Sequence, residues 1–426
     1  MRQWRSKRRL DALAALAIVG AVAASASIVA RAEQPIARKS QFSAHGLQRV
    51  AAYMQNEVAA GNIPGAIVLI QQHGRPAYYE TFGARDVAAK APMTDEVIFR
   101  LYSMSKPVTS VAAMMLIDGG MLALGDPLSK FLPAFADVRA GVESRDESGK
   151  PVLKREPLAR PITIEDLLRH TSGITYGFYG DNAVRKLYSG SNLFDGDFDN
   201  AQFAERLAKL PLAEQPETMW DYGHSTDVLG RVVEVVSGKS LYEFEKQRML
   251  DPLGMRDTGF FVPESKRARV AAFLSNDRFE RPIAGLGDPI FRRRWESGGA
   301  GMVGTIGDYA RFCQMLLNGG ALDGRRYLKP ETVALMASDH VGPGTGIGRD
   351  PFYFPGADGF GLGFAVRTEA DESLPAGEYR WDGVGGTFFF IDPADDMFTI
   401  VMMQTPSQRG RIQTELKKLI YEALVR

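Results

Sequence analysis

Residues 111–117 constrain the fold more than any other stretch. They are apolar on every face of a helix that the pattern places at about 103–117, closed by Gly119-Gly120. A helix with no polar stripe has no side to offer water, so it must be buried centrally in a larger assembly. Strand patterns stand at both ends of the chain. A helix over about 44–60 carries Leu47, Val50, Ala51, Met54 and Val58 on one face. Strands at 66–71 and 76–82 follow, turned by His73-Gly74. Near the C-terminus 361–368, 378–381, 387–391 and 398–403 read as strands, with Asp392-Pro393-Ala394-Asp395-Asp396 as a turn. A last helix carries Ile412, Leu416, Leu419, Ile420 and Ala423. The middle, 121–285, shows helices and loops without a convincing strand pair. Within it 141–160 reads as a charged, irregular, exposed loop, and Thr163 to Asp166 as a helix cap. The expected fold is α+β: one antiparallel sheet built from both ends, flanked by helices, with an inserted, mainly helical lobe. The sheet lobe would take about 40–125 and 286–426, the helical lobe about 126–285, with a cleft between them.

The chain has 426 residues, 45% hydrophobic and 24% charged, which excludes a disordered tail, a collagen-like fibre and a multispan membrane protein. Lys plus Arg and Asp plus Glu both total 51, so bulk charge indicates no nucleic-acid partner. A single cysteine, Cys313, excludes an internal disulfide and a cysteine-based metal site. Residues 1–32 combine Arg2, Arg5, Lys7, Arg8 and Arg9, an apolar run over 12–29, and Ala30-Arg31-Ala32, and read as a secretory signal peptide. The rival reading is an uncleaved anchor. Cleavage takes six basic residues and Asp11 from 51 of each sign, leaving 45 basic and 50 acidic. The expected product is a periplasmic or secreted protein with no stable membrane insertion.

Three short motifs could carry chemistry. Ser103-Met104-Ser105-Lys106 is the only Ser-x-x-Lys in the chain. Positions i and i+3 share a helix face, so the Lys106 amine can reach the Ser103 hydroxyl, which needs a base to become a nucleophile. Pro107 fits a helix's first turn yet disfavours helical geometry at Lys106. In Trp220-Asp221-Tyr222-Gly223-His224-Ser225, Tyr222 precedes a helix bearing Leu229, Val232, Val233 and Val236. A Lys106 ammonium beside it would stabilise a Tyr222 phenolate. In Trp381-Asp382-Gly383-Val384-Gly385-Gly386-Thr387, on an edge-like strand, glycine lets a substrate approach the backbone, and a strand N–H facing Ser103 could serve an oxyanion. Alone, each has an ordinary structural explanation.

In this order and spacing the three motifs resemble the serine β-lactamase and penicillin-binding superfamily, in its class C-like branch, which includes the family VIII esterases. Residues 164–173, Gly298-Gly299-Ala300-Gly301-Met302, 308–312 and 389–393 resemble it too, so the likeness spans roughly 45–425. The resemblance implies Ser103 as acylated nucleophile, Lys106 as proton relay, and Tyr222 as general base or its partner. It implies the N–H groups of Ser103 and Val384 as oxyanion hole, Trp381, Gly383 and His224 as substrate contacts, and no metal or cofactor. The substrate would be a small-molecule ester or amide. The family's Lys-Thr-Gly reads Trp381-Asp382-Gly383 here, and the asparagine of its Tyr-x-Asn is His224. Strand alternation could turn Asp382 away from the cleft. Either way a neutral ester is favoured over an anionic antibiotic.

His224 either orients Tyr222, contacts substrate, or is a loop histidine satisfied by backbone. His170 is expected to fix a loop by hydrogen bonding, and His45, His73 and His340 to lie on the surface. Arg292-Arg293-Arg294 reads as a solvated run or a basic lip on the cleft. No Gly-x-Ser-x-Gly elbow occurs, which excludes an α/β-hydrolase. Three functions remain open: an esterase; a β-lactamase, D-amino-acid peptidase or acyltransferase with the same nucleophile; and a non-catalytic binding protein on this fold.

Overall fold

The computed structural model describes residues 40–178, 180–194, 197–277, 288–349, 358–370 and 374–425; the segment 1–32 lies outside them. The first elements follow the pattern. Helix α1 (Ala44–Ala59) starts at Ser43, whose side chain accepts from the Gly46 N–H. Strands β1 (Gly65–Gln72) and β2 (Arg75–Asp86) form the expected hairpin, and β3 (Ala91–Pro92) pairs with β2. A 3₁₀ turn, Tyr102–Met104, leads into α2 (Ser105–Asp118). Ser105 to Leu116 are buried without exception, as a helix lacking a polar stripe requires. Lys106 is helical despite Pro107: proline stands in the first turn, where its missing N–H would have no partner in any case.

Two expectations are corrected. Residues 141–160 are not irregular: β4 (Arg139–Arg145) and β5 (Pro151–Pro157) form an antiparallel hairpin. Both of its faces are polar enough to hide the alternation, and Val142 itself is exposed. Its turn is held by Asp146, whose Oδ1 accepts from the N–H groups of Ser148 and Lys150. Nor are 361–368 one strand. Only β7 (Ala365–Arg367) of that stretch is strand; it pairs with β6 (Asp358–Phe360), which lies before it, and in the turn between them Gly363 takes φ +103°, where a Cβ would lie 2.4 Å from Ser110 Oγ.

Strands β8 (Tyr379–Asp382), β9 (Phe388–Asp392) and β10 (Met397–Met403) complete one sheet, ordered β6-β7-β8-β9-β10-β1-β2-β3 with every neighbouring pair antiparallel. Alternation divides its two faces. Val68, Phe388, Phe390 and Val401 meet α1 and the last helix, α3 (Arg409–Ala423), through Val50, Met54, Ile412, Leu416 and Ile420. Leu69, Phe389, Ile391 and Ile400 meet the core around α2. The architecture is α+β. Strand β8 is third from one side rather than an edge. Its partner β7 reaches only Tyr379 and Arg380, so from Trp381 onward one flank of β8 is unpaired within the sheet. Among the described residues no helix is long and apolar enough to cross a membrane.

The Thr163 cap forms the expected reciprocal box with Asp166. Asp166 is fully buried and accepts from Arg160 Nη1 at 2.7 Å and Nη2 at 2.8 Å, Thr163 N at 2.9 Å and Thr171 Oγ1 at 2.8 Å. Burial pushes this carboxyl up, but the Arg160 bonds and the donors of Thr163 and Thr171 hold it below the ordinary range. Replacing it takes the buried carboxylate away from all these donors. Asp166→Ala is expected to lower the free energy of unfolding by about 3–5 kcal/mol, read from urea denaturation. A loss under about 1 kcal/mol would contradict this account.

Candidate active site

The loop that Asp166 anchors runs beside the segment 213–221. Ala213 N donates to Gly173 O, Glu217 N to Thr171 O and Asp221 N to His170 O. This pairing brings Tyr176 and Tyr222 to the same place, with ring centroids 5.4 Å apart in an edge contact. The N-terminal end of α2 arrives opposite them. It is braced by Tyr309 Oη, which donates to Met104 O at 3.0 Å, and by Ser105 Oγ, which accepts from Met302 N at 3.0 Å. Tyr102, one residue before Ser103, holds φ +46°, a conformation uncommon for a bulky residue.

Ser103 is half-buried, and the amine of Lys106 is 3.3 Å from its Oγ. The structure thus brings these two side chains together. Lys106 is buried, and its Nζ also donates to Gly299 O at 2.7 Å and Tyr176 Oη at 3.1 Å. Burial drives its pKa down to about 7, against the raising effect of Asp227 and Asp382. A lysine in this state is a base near neutral pH.

Tyr222 is in the site, but it meets Lys106 through its ring: Nζ lies 4.5 Å from the ring centroid. The phenol oxygen within hydrogen-bond reach of the amine is that of Tyr176, which sequence reasoning missed. A lone tyrosine in Thr175-Tyr176-Gly177 carries no local signal. Trp381 joins its motif to Tyr222: its Nε1 donates to Tyr222 Oη at 3.3 Å, and the rings lie 5.3 Å apart, tilted by 54°.

Asp382 points to the other face of the sheet, where Arg409 Nε of α3 pairs with it at 3.2 Å. Alternation along β8 thus puts the indole inside and the carboxylate outside. Gly383 is buried with its α-carbon against the protein, since a Cβ would lie 2.3 Å from Leu101 O and 2.4 Å from Thr387 Oγ1. The glycine is needed so that the strand can approach the nucleophile's turn, not so that substrate can approach the strand. Val384 follows, half-buried, and its N–H has no acceptor among the described residues.

His224 is buried and satisfied by a carboxylate rather than backbone: its Nδ1 lies 2.9 Å from Asp227 Oδ2. Burial holds its pKa below the ordinary histidine value, with the Asp227 bond opposing. Asp227, also missed, links three parts of the site. Its Oδ1 accepts from Ser297 Oγ at 2.5 Å and from Gly299 N at 3.0 Å, and the Gly299 carbonyl accepts from Lys106. Burial raises Asp227, but His224, Lys106 and Ser297 bring it below the ordinary carboxylate value. Its spacing of three after His224, in a helix's first turn, was the available signal.

The other histidines complete the map. His170 does not fix its loop through its ring: Nδ1 is buried without a partner, and the ring packs on Tyr222, Trp220 and Phe360. Its backbone carbonyl makes the loop's bond to Asp221 instead. His45 is exposed, while His73 and His340 are half-buried, paired with Asp396 and Glu165 respectively. Among the described residues no group of three or more His, Cys, Asp or Glu could hold a metal ion.

A buried amine poised on a serine hydroxyl, with two phenols and an unpaired strand flank around it, can activate an oxygen nucleophile and receive the charge that follows. Known proteins resemble this chain over most of its length. The family model described as Beta-lactamase matches residues 50–422. An uncharacterized protein of Mycobacterium tuberculosis is 35% identical over 365 residues, covering 81% of this chain and 86% of that one. Esterase EstB of Burkholderia gladioli is 30% identical over 400 residues, 88% of this chain and 94% of the esterase. The solved structure of EstCE1, described as a hydrolase with promiscuous acyltransferase activity, superposes with a TM-score of 0.72 at 28% identity, over 88% of this chain and 98% of that one.

Proposed function

The chain belongs to the beta-lactamase family, within the serine β-lactamase and penicillin-binding superfamily, and on that footing we propose that it cleaves carboxylic esters through an acyl-enzyme on Ser103. The similarity to EstB and EstCE1 supports serine hydrolase or acyl-transfer chemistry on this fold. The observation that carries the finer reading is the buried Lys106 amine, with a pKa of about 7, at 3.3 Å from Ser103 Oγ.

In this mechanism neutral Lys106 takes the Ser103 proton as Oγ bonds to the ester carbonyl carbon. The carbonyl π electrons move to oxygen, and that charge is met by the N–H groups of Ser103 and Val384. Each such donor is worth roughly 2.7–4 kcal/mol of barrier. The tetrahedral centre collapses, the bond to the alcohol oxygen breaks, and the proton held by Lys106 passes to the leaving alcohol. In this reading Tyr176, whose Oη lies 3.1 Å from the Lys106 amine, relays it. Water then repeats the sequence in reverse and frees Ser103; an alcohol acceptor in its place would give acyl transfer.

Esters are favoured over β-lactams by what stands on β8. The position that holds a lysine in the Lys-Thr-Gly pattern carries Trp381, turned onto Tyr222, and Asp382 is engaged by Arg409 on the far face. Neither offers a cation to a lactam carboxylate. The composition of residues 1–32 supports export to the periplasm or medium. The direct test compares p-nitrophenyl butyrate with nitrocefin at equal concentration. Faster turnover of the ester is expected; nitrocefin turnover without ester turnover would move the assignment to a lactamase.

A further inference from the structure

A second feature lies on the Tyr102 side of the nucleophile. A cavity there is lined by Arg100, Tyr102, Phe291, Arg293, Trp295 and Ser297, and continues along Ala300 to Val303. It is thus bordered by the residue before Ser103 and by the residue after Gly299, the carbonyl acceptor of Lys106. The residues of the β8 motif do not line it.

Among the described residues the charges in this cavity do not cancel. Arg100 Nη2 lies 3.5 Å from Asp288 Oδ1, which also accepts from Ile290 N, so the one carboxylate among the described lining residues is matched by one guanidinium. The three consecutive arginines nearby divide their work. Arg292 lies over the Phe261 ring at 5.1 Å, and Arg294 pairs with Asp199 at 2.9 Å. Arg293 has neither an ion pair nor a hydrogen bond among the described residues, and it faces the cavity. Around it the wall is apolar, with Phe260, Pro289, Phe291 and Trp295. Phe291 is 64% exposed, an aromatic ring left in water at the rim.

We propose that this cavity is an anion subsite in which Arg293 binds a carboxylate carried by the substrate, so that the enzyme acts on hemiesters of dicarboxylic acids with an apolar spacer. The inference rests on the esterase reading above and adds the substrate class. The guanidinium of Arg293 is a planar donor suited to two parallel bonds to a carboxylate, and the aromatic wall takes the methylene chain that joins that carboxylate to the scissile carbonyl. Trp381, which stands where Lys-Thr-Gly would put its lysine, is not among the residues that line this cavity.

The probes are p-nitrophenyl butyrate and the mono-p-nitrophenyl ester of glutaric acid, which differ chiefly by the terminal carboxylate. Arg293→Ala is expected to lower the ratio of kcat/KM for the glutarate ester to that for the butyrate ester about tenfold, mainly through KM, as loss of a charged hydrogen-bond partner does. Arg293→Lys should recover part of the ratio. Arg292→Gln, whose parent side chain lies on Phe261, should leave it unchanged. In the wild type the ratio should fall as salt is added. An unchanged ratio in Arg293→Ala, or an equal loss with Arg292→Gln, overturns the subsite. Absence of Ser103-dependent turnover of either ester would instead overturn the esterase reading on which it rests.

Discussion

Ser103→Ala is expected to abolish turnover of p-nitrophenyl butyrate, by at least about 10³-fold in kcat/KM, while the protein stays folded. The size follows from the chemistry. Without Oγ no acyl-enzyme forms, and what remains is water attack assisted by binding and the oxyanion donors alone. The fold should tolerate the change for a structural reason. The serine is half-buried in a turn, and Lys106 keeps Gly299 O and Tyr176 Oη as partners when Oγ is gone. The buried amine is therefore not orphaned, and the thermal transition should stay close to the wild type. Initial rates and a melting curve on the same preparation decide the matter. A variant that keeps its rate would remove Ser103 from the mechanism. A variant that loses both rate and transition would be answered by Ser103→Gly, or by fluorophosphonate labelling of the wild-type residue.

The sequence exposed this site unevenly. Ser103 and Lys106 were legible from a Ser-x-x-Lys spacing that lets the two side chains meet, ambiguous by itself and singled out only by its order with the other two motifs; Ser103 stands in the 3₁₀ turn that leads into α2. Tyr222 and Trp381 were legible through motifs whose order along the chain resembled a family. Their roles in the geometry were less so: Tyr222 offers its ring to the amine, and Trp381 holds the Tyr222 hydroxyl. Tyr176 was invisible because a loop residue's direction depends on distant pairing, here of 171–173 with 213–217. The same limit explains the fold. The sheet could be read because its strands alternate between two buried faces. The hairpin of Arg139–Arg145 and Pro151–Pro157 could not, because it stands in water with charge on both faces. Gly363 stands in a turn within a stretch that composition made look like one strand, with a close approach to Ser110 that no local rule contains.

Lys106 gives the second large effect, and its sign can be worked out from its surroundings. Below its pKa of about 7 the residue is an ammonium with no lone pair to accept the Ser103 proton; above it, the amine is free to do so. The kcat/KM for a neutral ester should therefore rise with pH through about 7 and then level. Lys106→Met, similar in length and uncharged, should lower the plateau by about 10²–10⁴-fold and erase this limb. Two buried neighbours could confuse the assignment, and variants separate them. His224 sits below the ordinary histidine value, so a limb of its own would fall at lower pH, and His224→Gln should leave the limb near 7 in place. Asp227 holds a negative charge that favours the ammonium. Asp227→Asn removes that charge while an amide oxygen can still accept from Gly299 N and Ser297 Oγ, and His224 can exchange tautomer to accept from the new amide. The limb should therefore move to lower pH, with more of the enzyme active in mild acid. A shift to higher pH, or none, would mean that the limb does not report the ionisation of Lys106. In that case the proton that limits the reaction belongs to another group of the site, of which the Tyr176 phenol at 3.1 Å is the nearest tested by a conservative change, Tyr176→Phe.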